Sequence, residues 1–441
     1  MIQDENPKRA IGRRDLLKLA GAVPILLAPR NAAAAGKIRS KARIVIAGAG
    51  AAGLSAAARL SARLDGASIT LIDAKKAHHY QPGFTLIAAG LVPPAYSISQ
   101  TRDHLPAGVD LIEEAVAEFD PAGNAVVTAS GRKVPYDFLI VATGLVLDYA
   151  AIVGMDLTAV GKNGLGSVYA GPEAAAATWR EMSRFAETGG RGLFLRPATE
   201  MKCAGAPLKY AFLTDDMLRR KGKRDRAELT YAAHNTALFS VPIVSEKARM
   251  LFLNRGVKVV HNHVMTAIDP TRKIATFATP NGPAELPYDF INVIPPMRAP
   301  RAVRESPLPW QSGGFAADGW IETDKATLRH RRFANVFAVG DVAGVPKGKT
   351  AASVKWQVPV AVDHLLGDIA KSPAASVYDG YTSCPLITRY GRAMLVEFDY
   401  DNNLTPSFPG VIAPLEELWI TWVMKTIALK PTYMAMLRGR A

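Results

Sequence analysis

The stretch Lys41-Ala-Arg-Ile-Val-Ile-Ala-Gly-Ala-Gly-Ala-Ala-Gly-Leu54 decides the fold. Ile44-Val45-Ile46 is short and β-branched and reads as a buried strand. It opens into Gly48-x-Gly50-x-x-Gly53 and then into an Ala-rich helical run from Leu54 to Leu64. Gly48 permits the tight turn, Gly50 lets backbone approach a pyrophosphate, and Gly53 lets helix pack close on strand. The free N–H groups of Ala51, Ala52 and Gly53 then face the diphosphate, together with the positive end of the helix dipole. About twenty residues past Gly53, Ser68-Ile-Thr-Leu-Ile-Asp73 reads as a second strand ending in a carboxylate suited to ribose hydroxyls. Glycines alone would say little. With strand, helix, second strand and terminal acid around them, they specify a dinucleotide-binding α/β unit.

Outward from this unit, the first 35 residues read as an export signal. Arg13-Arg14-Asp-Leu-Leu-Lys18 is a twin-arginine pattern, followed by an apolar run from Leu19 to Pro29 and small residues from Ala32 to Ala35. The apolar run is too short to span a bilayer. Twin-arginine export carries folded proteins, which suits a chain that acquires its nucleotide first. The expected address is periplasmic.

The chain of 441 residues has a net charge of +14; residues 1–35 hold six Lys/Arg and three Asp/Glu, which leaves +11 on the rest. Such a charge could serve nucleic acid, an anionic membrane surface or a small anion. The chain has no nucleic-acid motif, dense basic run or interleaved aromatic platform, so nucleic acid is set aside. Arg219-Arg220-Lys221-Gly-Lys223-Arg224 reads as a solvated turn. About 400 residues after the signal imply two or three domains.

Further along, Lys75-Lys-Ala-His-His-Tyr-Gln-Pro-Gly-Phe84 reads as a loop near the cofactor. His78 and His79 lack Cys or carboxylate partners at ligand spacing, so no metal site is expected. Val109-Asp-Leu-Ile and Glu114-Ala-Val-Ala-Glu-Phe119 alternate as strands, and Ala117 joins the candidate cofactor contacts. Asn124–Thr128 and Lys133–Asp137 frame a hairpin. Tyr136 to Gly144 is a buried strand ending in Ala142-Thr143-Gly144. This segment resembles the second nucleotide-approach motif of flavin-dependent pyridine nucleotide-disulfide reductases. Phe333-Ala-Asn-Val-Phe-Ala-Val-Gly-Asp-Val342 resembles that family's other flavin motif, ending in Gly340-Asp341. The resemblance implies FAD, with the Asp341 carboxylate accepting from a ribityl hydroxyl. It also implies a discontinuous FAD domain, interrupted by a second Rossmann-like unit. In that unit Gly192–Arg196 and Glu228–Ala233 read as strands and Ala206–Arg220 as a helix. Its first strand-to-helix turn, Arg196-Pro-Ala-Thr-Glu-Met-Lys-Cys-Ala-Gly-Ala-Pro207, holds one glycine and two prolines. That is no pyrophosphate cradle, and the unit reads as degenerate.

The chain has two cysteines, Cys203 and Cys384, about 180 residues apart. In an exported protein a structural disulfide is one reading. The other is reactive: Cys203 sits in the turn that opens a helix, between Lys202 and Lys209, and dipole and cations both favour a thiolate. Spacing leaves both open. Met201-Lys-Cys-Ala-Gly-Ala-Pro-Leu-Lys209 and Tyr378-Asp-Gly-Tyr-Thr-Ser-Cys-Pro-Leu-Ile387 closely resemble the two cysteine motifs of sulfide:quinone oxidoreductases of the mitochondrial kind. The likeness runs nearly unbroken from Ile44 to about Arg440.

That resemblance implies an enzyme that oxidises hydrosulfide at a cysteine pair joined by a disulfide or sulfur bridge. Two electrons then pass through non-covalent FAD to a membrane quinone. By motif position Cys384 is assigned the persulfide and Cys203 the place facing the flavin, with the reverse order left open, and Lys349 and the helix from Thr350 to Leu366 supply positive charge. A small sulfur acceptor (sulfite, a thiol or a second sulfide) removes the product, and Trp356 lines the quinone side. The implied layout is 1–35 signal, 40–160 with 301–385 FAD domain, 161–300 second domain, and 386–441 membrane-associating region.

In that last region Pro414 to Lys430 reads as an amphipathic helix, with a second, Tyr433 to Leu437, after Pro431. Together they suit a monotopic attachment to the membrane surface. A homo-oligomer is left open. The nearest alternative is the flavoprotein subunit of a flavocytochrome c sulfide dehydrogenase, whose family attaches FAD through a cysteine in the loop after the second strand. Residues 77–83 have no cysteine. A type II NADH dehydrogenase is a further rival, opposed by the missing glycine fingerprint.

Overall fold

The computed structural model describes residues 36–441; the twin-arginine segment lies outside them. Strand Arg43–Ala47 is buried from Ile44 to Ala47, as a β-branched run with a sheet neighbour on either side must be. Five strands lie parallel in the order Val336–Ala338, Phe138–Val141, Arg43–Ala47, Ser68–Ile72, Val109–Ile112. Ala47 pairs with both Val141 and Ile72. Helix Ala51–Arg63 follows the central strand and begins three residues earlier than its apolar pattern suggests, because Gly50 already serves as its N-cap.

A second parallel sheet has the order Leu165–Gly166, Phe290–Asn292, Gly190–Leu195, Ala227–Ala232, Val257–Val260. Helices Pro172–Thr188, Ala206–Arg220 and Pro242–Asn254 accompany it. The architecture is thus α/β with two Rossmann-type sheets. Each sheet is flanked by a three-stranded antiparallel sheet.

Three expectations change in detail. The presumed loop after Asp73 contains strand Ala77–His79, paired antiparallel with Ile98–Gln100. The basic turn near residue 220 is ion-paired rather than merely solvated. Arg219 and Arg224 bind the fully buried Asp215 at 2.9 and 2.6 Å, and Lys221 and Lys223 both meet Glu187.

At the C-terminus there is one continuous helical rod where two helices around Pro431 were expected. It runs through Trp419–Val423, a π turn at Met424–Ala428, and Leu429–Leu437. The π turn explains the passage through Pro431: its wider hydrogen-bond spacing locally relaxes the ladder that a proline ring would otherwise strain. The rod does not float free. Tyr433 is buried and its hydroxyl lies 2.8 Å from His78 Nε2, while Arg59 donates to the Ala441 carbonyl at 2.7 Å.

Candidate active site

The first sheet's crevice is built from main chain. Gly48 has φ +107°, and a Cβ there would overlap the Ala142 carbonyl; a Cβ on Gly53 would overlap the Gly48 carbonyl. Gly50, by contrast, has open space where its Cβ would stand, as does Gly144 at φ +69°. Helix Ala51–Arg63 has no capping side chain and no acidic residue in its first turn, so the N–H groups of Ala51, Ala52 and Gly53 are left for a ligand. Gly340 comes against the Ala52 side chain, which brings the downstream Gly-Asp motif to the same place.

Thr143 Oγ1 is buried there without a hydrogen-bond partner. Asp341 is held above the usual carboxylate range by burial, against the pull of Lys202 and Lys349. The carboxylate of Asp73 accepts from the Ala49 N–H at 2.7 Å and the Lys75 N–H at 2.8 Å. It therefore braces the glycine turn, with lone pairs left for a ribose. Ala117 stands apart from this group, exposed on the antiparallel sheet at a bulge between Val116 and Glu118.

The two cysteines meet. Cys203 lies on the turn before helix Ala206–Arg220 with φ +48°, a conformation that L residues adopt at a cost of about 1 kcal/mol or more. Its N–H donates to the Lys349 carbonyl at 3.0 Å, and its carbonyl accepts from Tyr169 at 2.9 Å. Cys384 is buried on strand Thr382–Arg389, opposite Val396. Gly205 must be glycine, because a Cβ would run into the Cys384 sulfur. Both cysteines are free thiols in this structure, and their side chains meet closely enough to share a hydrogen bond.

Their charges are unequal. The Cys384 thiol donates to Cys203 and draws its ionisation well below the ordinary thiol range, helped by Lys209 and Lys425 against the cost of burial. Cys384 is pushed up correspondingly. Lys209 is 3% exposed, and its Nζ lies 3.7 Å from Cys203 Sγ. Burial opposes its charge, but the sulfurs outweigh that and hold the ammonium above its usual value. The pair is thus a thiolate and a thiol sharing one buried cation.

Lys349 lies at the junction between cysteine and crevice. Its Nζ donates to the carbonyls of Asp341 at 2.6 Å and Ala343 at 3.2 Å and stands 3.6 Å above the Trp320 ring. Burial lowers it to about 8 against the attraction of Asp341, Glu200 and Asp318. Helix Ala351–Ala370 begins just after it, capped by Thr350, and carries the half-exposed Trp356 edge-on to Tyr381. Sequence reading missed two participants, Tyr169 and Lys425. Lys425 sits on the π turn of the C-terminal rod, donates to the Pro82 carbonyl at 2.7 Å, and is 3% exposed. Burial and the nearby Lys209 bring it to about 7, opposed by the two cysteines. Its signal was a lone lysine inside Trp-Val-Met-Lys-Thr-Ile-Ala-Leu.

Fold and crevice together define a dinucleotide-dependent oxidoreductase with a cysteine pair. Residues 42–181 match the pyridine nucleotide-disulphide oxidoreductase family. The chain is 34% identical over 406 residues to the mitochondrial sulfide:quinone oxidoreductase of Dictyostelium discoideum, covering 92% of this chain and 88% of that one. It is 34% identical over 370 residues to the mitochondrial enzyme of that name from Mus musculus, covering 83% and 80%. The solved sulfide:quinone oxidoreductase of Aquifex aeolicus superposes with a TM-score of 0.74 at 21% identity, over 90% of this chain and 92% of that one. The chain belongs to the sulfide:quinone oxidoreductase family. Its cofactor is FAD, and the first crevice fits it: an uncapped helix start, open space over Gly50, and an orphaned Thr143 hydroxyl all await a partner.

Proposed function

We infer that the protein oxidises hydrosulfide and delivers the electrons to a quinone. The observation that carries this is the Cys203–Cys384 pair around the buried Lys209, tied to the cofactor crevice through the Lys349 carbonyl. Gly48, Gly50, Ala51, Ala52 and Gly53 would hold the diphosphate, with Ala142, Thr143, Gly144, Gly340 and Asp341 along the flavin and Asp73 at the adenosine end; Ala117, exposed on the antiparallel sheet, stands outside this set. Bound FAD supplies a two-electron acceptor that a quinone can reoxidise.

The chain's own part is thiol chemistry. When the pair is oxidised, the hydrosulfide sulfur attacks Cys384; the S–S bond breaks, and its electron pair leaves on Cys203 as thiolate. Cys384 then carries the persulfide with the proton that came with hydrosulfide. The charge asymmetry supports this assignment, since the hydrogen bond from Cys384 and the ammonium groups of Lys209 and Lys425 favour negative charge on Cys203. Lys349, held near the crevice with a labile proton, offers positive charge or a proton where the cofactor gains electrons. A small acceptor then removes the outer sulfur.

Among the described residues no helix is long and apolar enough to cross a membrane. Trp419, Ile420 and Ile427 are exposed on the C-terminal rod, which supports attachment to a membrane surface, and Trp356 supports a quinone entrance nearby. For the address we propose twin-arginine export to the periplasm, on the strength of Arg13-Arg14 and the apolar run after it. The two curated relatives compared above are named as mitochondrial, which is the competing address. A reporter fused behind residues 1–40 and tested with Arg13→Lys and Arg14→Lys together separates them: export lost in the double variant supports the first, and unchanged targeting opposes it.

The activity itself is tested by anaerobic stopped-flow absorbance. Hydrosulfide should bleach the flavin band and a short-chain quinone should restore it, whereas Cys203→Ser and Cys384→Ser should each abolish the bleaching. A flavin that stays oxidised with sulfide contradicts the reading.

A further inference from the structure

Lys349 is a buried cation held by neutral groups. Its ammonium donates to the carbonyls of Asp341 and Ala343 at 2.6 and 3.2 Å, and its third close neighbour is the face of Trp320, 3.6 Å from the ring centroid. An ammonium has three N–H donors, and two carbonyls with one aromatic face match that number. The usual arrangement is different, because a buried lysine is ordinarily paired with a carboxylate. The acidic groups that act on it are Asp341 on the flavin-motif turn, Glu200 before Cys203, and Asp318 before Trp320. None makes an ion pair with it among the described residues, and Asp318 is taken up by Arg298 at 3.0 Å.

Trp320 is built to hold that place. It is fully buried, and the strand Ile321–Glu322 that continues from it pairs parallel with Ala343–Gly344. Its main-chain N–H donates to the Phe315 carbonyl at 3.1 Å, and its carbonyl accepts from the Trp310 N–H at 3.0 Å. The indole Nε1 has no partner among the described residues, so hydrogen bonding does not explain why an indole stands here. The ring face does explain it. Indole attracts cations more strongly than the other aromatic side chains, and the attraction is largest where water is excluded. What the ring holds matters at two places: the Lys349 carbonyl accepts from the strained Cys203 N–H at 3.0 Å, and its ammonium reaches the Gly340-Asp341 motif.

We propose that Trp320 is a positioning residue: its ring stands in for a counter-ion and keeps the Lys349 ammonium charged and fixed beside the cofactor crevice. A carboxylate in the same place would hold the lysine equally well but would cancel its charge. A neutral ring leaves that charge free to act on electrons arriving at the cofactor. This rests on the flavin-dependent sulfide oxidation read above and adds the residue that holds its cation in place. Burial brings Lys349 to about 8 against the pull of the three acids, and losing the ring's attraction would make its proton leave at lower pH. The consequence therefore grows with pH. It is small near pH 6, where the lysine is charged with or without the ring, and large near pH 8.

The test uses the purified holoenzyme and reads the midpoint potential of its flavin against a reference dye between pH 6 and pH 9. Sulfide takes no part in that titration, so failure of the parent reading shows separately, as no bleaching by hydrosulfide in the unaltered enzyme. Trp320→Leu should lower the potential at pH 8 by more than at pH 6. In single-turnover experiments at pH 8, hydrosulfide should bleach its flavin roughly fivefold more slowly, as for loss of a buried cation–π contact. Trp320→Phe keeps a weaker ring face and should recover part of both effects. If Trp320→Leu does not retain flavin, Trp320→Phe carries the comparison: it should lower the potential alone and leave it unchanged in a Lys349→Met background. Equal shifts with and without the Lys349 side chain would overturn the proposal, because the ring would then act through packing. A shift of the same size at every pH, or no shift at all, would overturn it too.

Discussion

The described residues form two five-stranded parallel sheets that end in crevices of similar origin but opposite chemistry. After the first strand of one, three glycines expose backbone N–H groups, and the Asp73 carboxylate braces the turn from the neighbouring strand. After the first strand of the other, Arg196-Pro-Ala-Thr-Glu-Met-Lys-Cys203 replaces the cradle with a cation and a nucleophile. The first geometry holds a diphosphate through main chain; the second leaves side chains to act. A nucleotide fold that no longer needs to cradle pyrophosphate can give its turn to thiol chemistry, and Cys203 occupies that turn in a strained conformation.

The comparison can be broken most directly at the cysteines. Cys203→Ser or Cys384→Ser should lower sulfide-dependent quinone reduction by at least about a thousandfold, as expected when a nucleophile is removed, while flavin content stays normal. The complementary change, Gly53→Ala in the first crevice, puts a methyl into the Gly48 carbonyl with no flexible neighbour to yield. The ratio of flavin to protein absorbance should fall to near zero in whatever soluble protein is recovered. Normal flavin content in that variant would remove the first crevice from the argument.

Smaller effects sharpen the electrostatics. Lys209→Met removes the cation shared by the two sulfurs, and the pH at which Cys203 reacts with iodoacetamide should rise. Lys425 gives a pH signature of the opposite kind. Its ammonium is protonated below about 7 in the folded state and below its ordinary value of 10.5 in the unfolded chain. Between those values the unfolded chain binds the extra proton, so this group's penalty on folding is full below about 7 and fades as pH rises toward 10.5. Lys425→Met should therefore raise Tm by a few degrees near pH 6 and by less at pH 9. A Tm difference independent of pH would show that the lysine is not titrating where its burial puts it.

Much of this arrangement was legible in the sequence, because its signals are local. Gly48, Gly50 and Gly53 sit between strand and helix, and helix Ala206–Arg220 spans the residues its pattern marks. The convergence of Cys203 and Cys384 was legible only through the resemblance of their motifs; spacing could not decide between a staple and a reactive pair. What escaped reading is non-local. Lys425 reaches Pro82 across 343 residues, and Tyr169 meets Cys203 from another element. The helix was expected to break at Pro431, since local propensity carries no sign of a π turn upstream. Asp73 was assigned to a ribose alone, yet it also braces the turn through the Ala49 N–H, a bond visible only once the strands are aligned.

The central claim is that the first crevice carries FAD while the second has exchanged nucleotide binding for sulfur chemistry. The measurement that tests it most directly is a paired anaerobic reduction of the holoenzyme, with NADH in one syringe and hydrosulfide in the other. The account predicts rapid flavin bleaching by hydrosulfide and none by NADH on the same timescale. Bleaching by NADH with an unresponsive flavin in hydrosulfide would contradict it and return the second crevice to a nicotinamide.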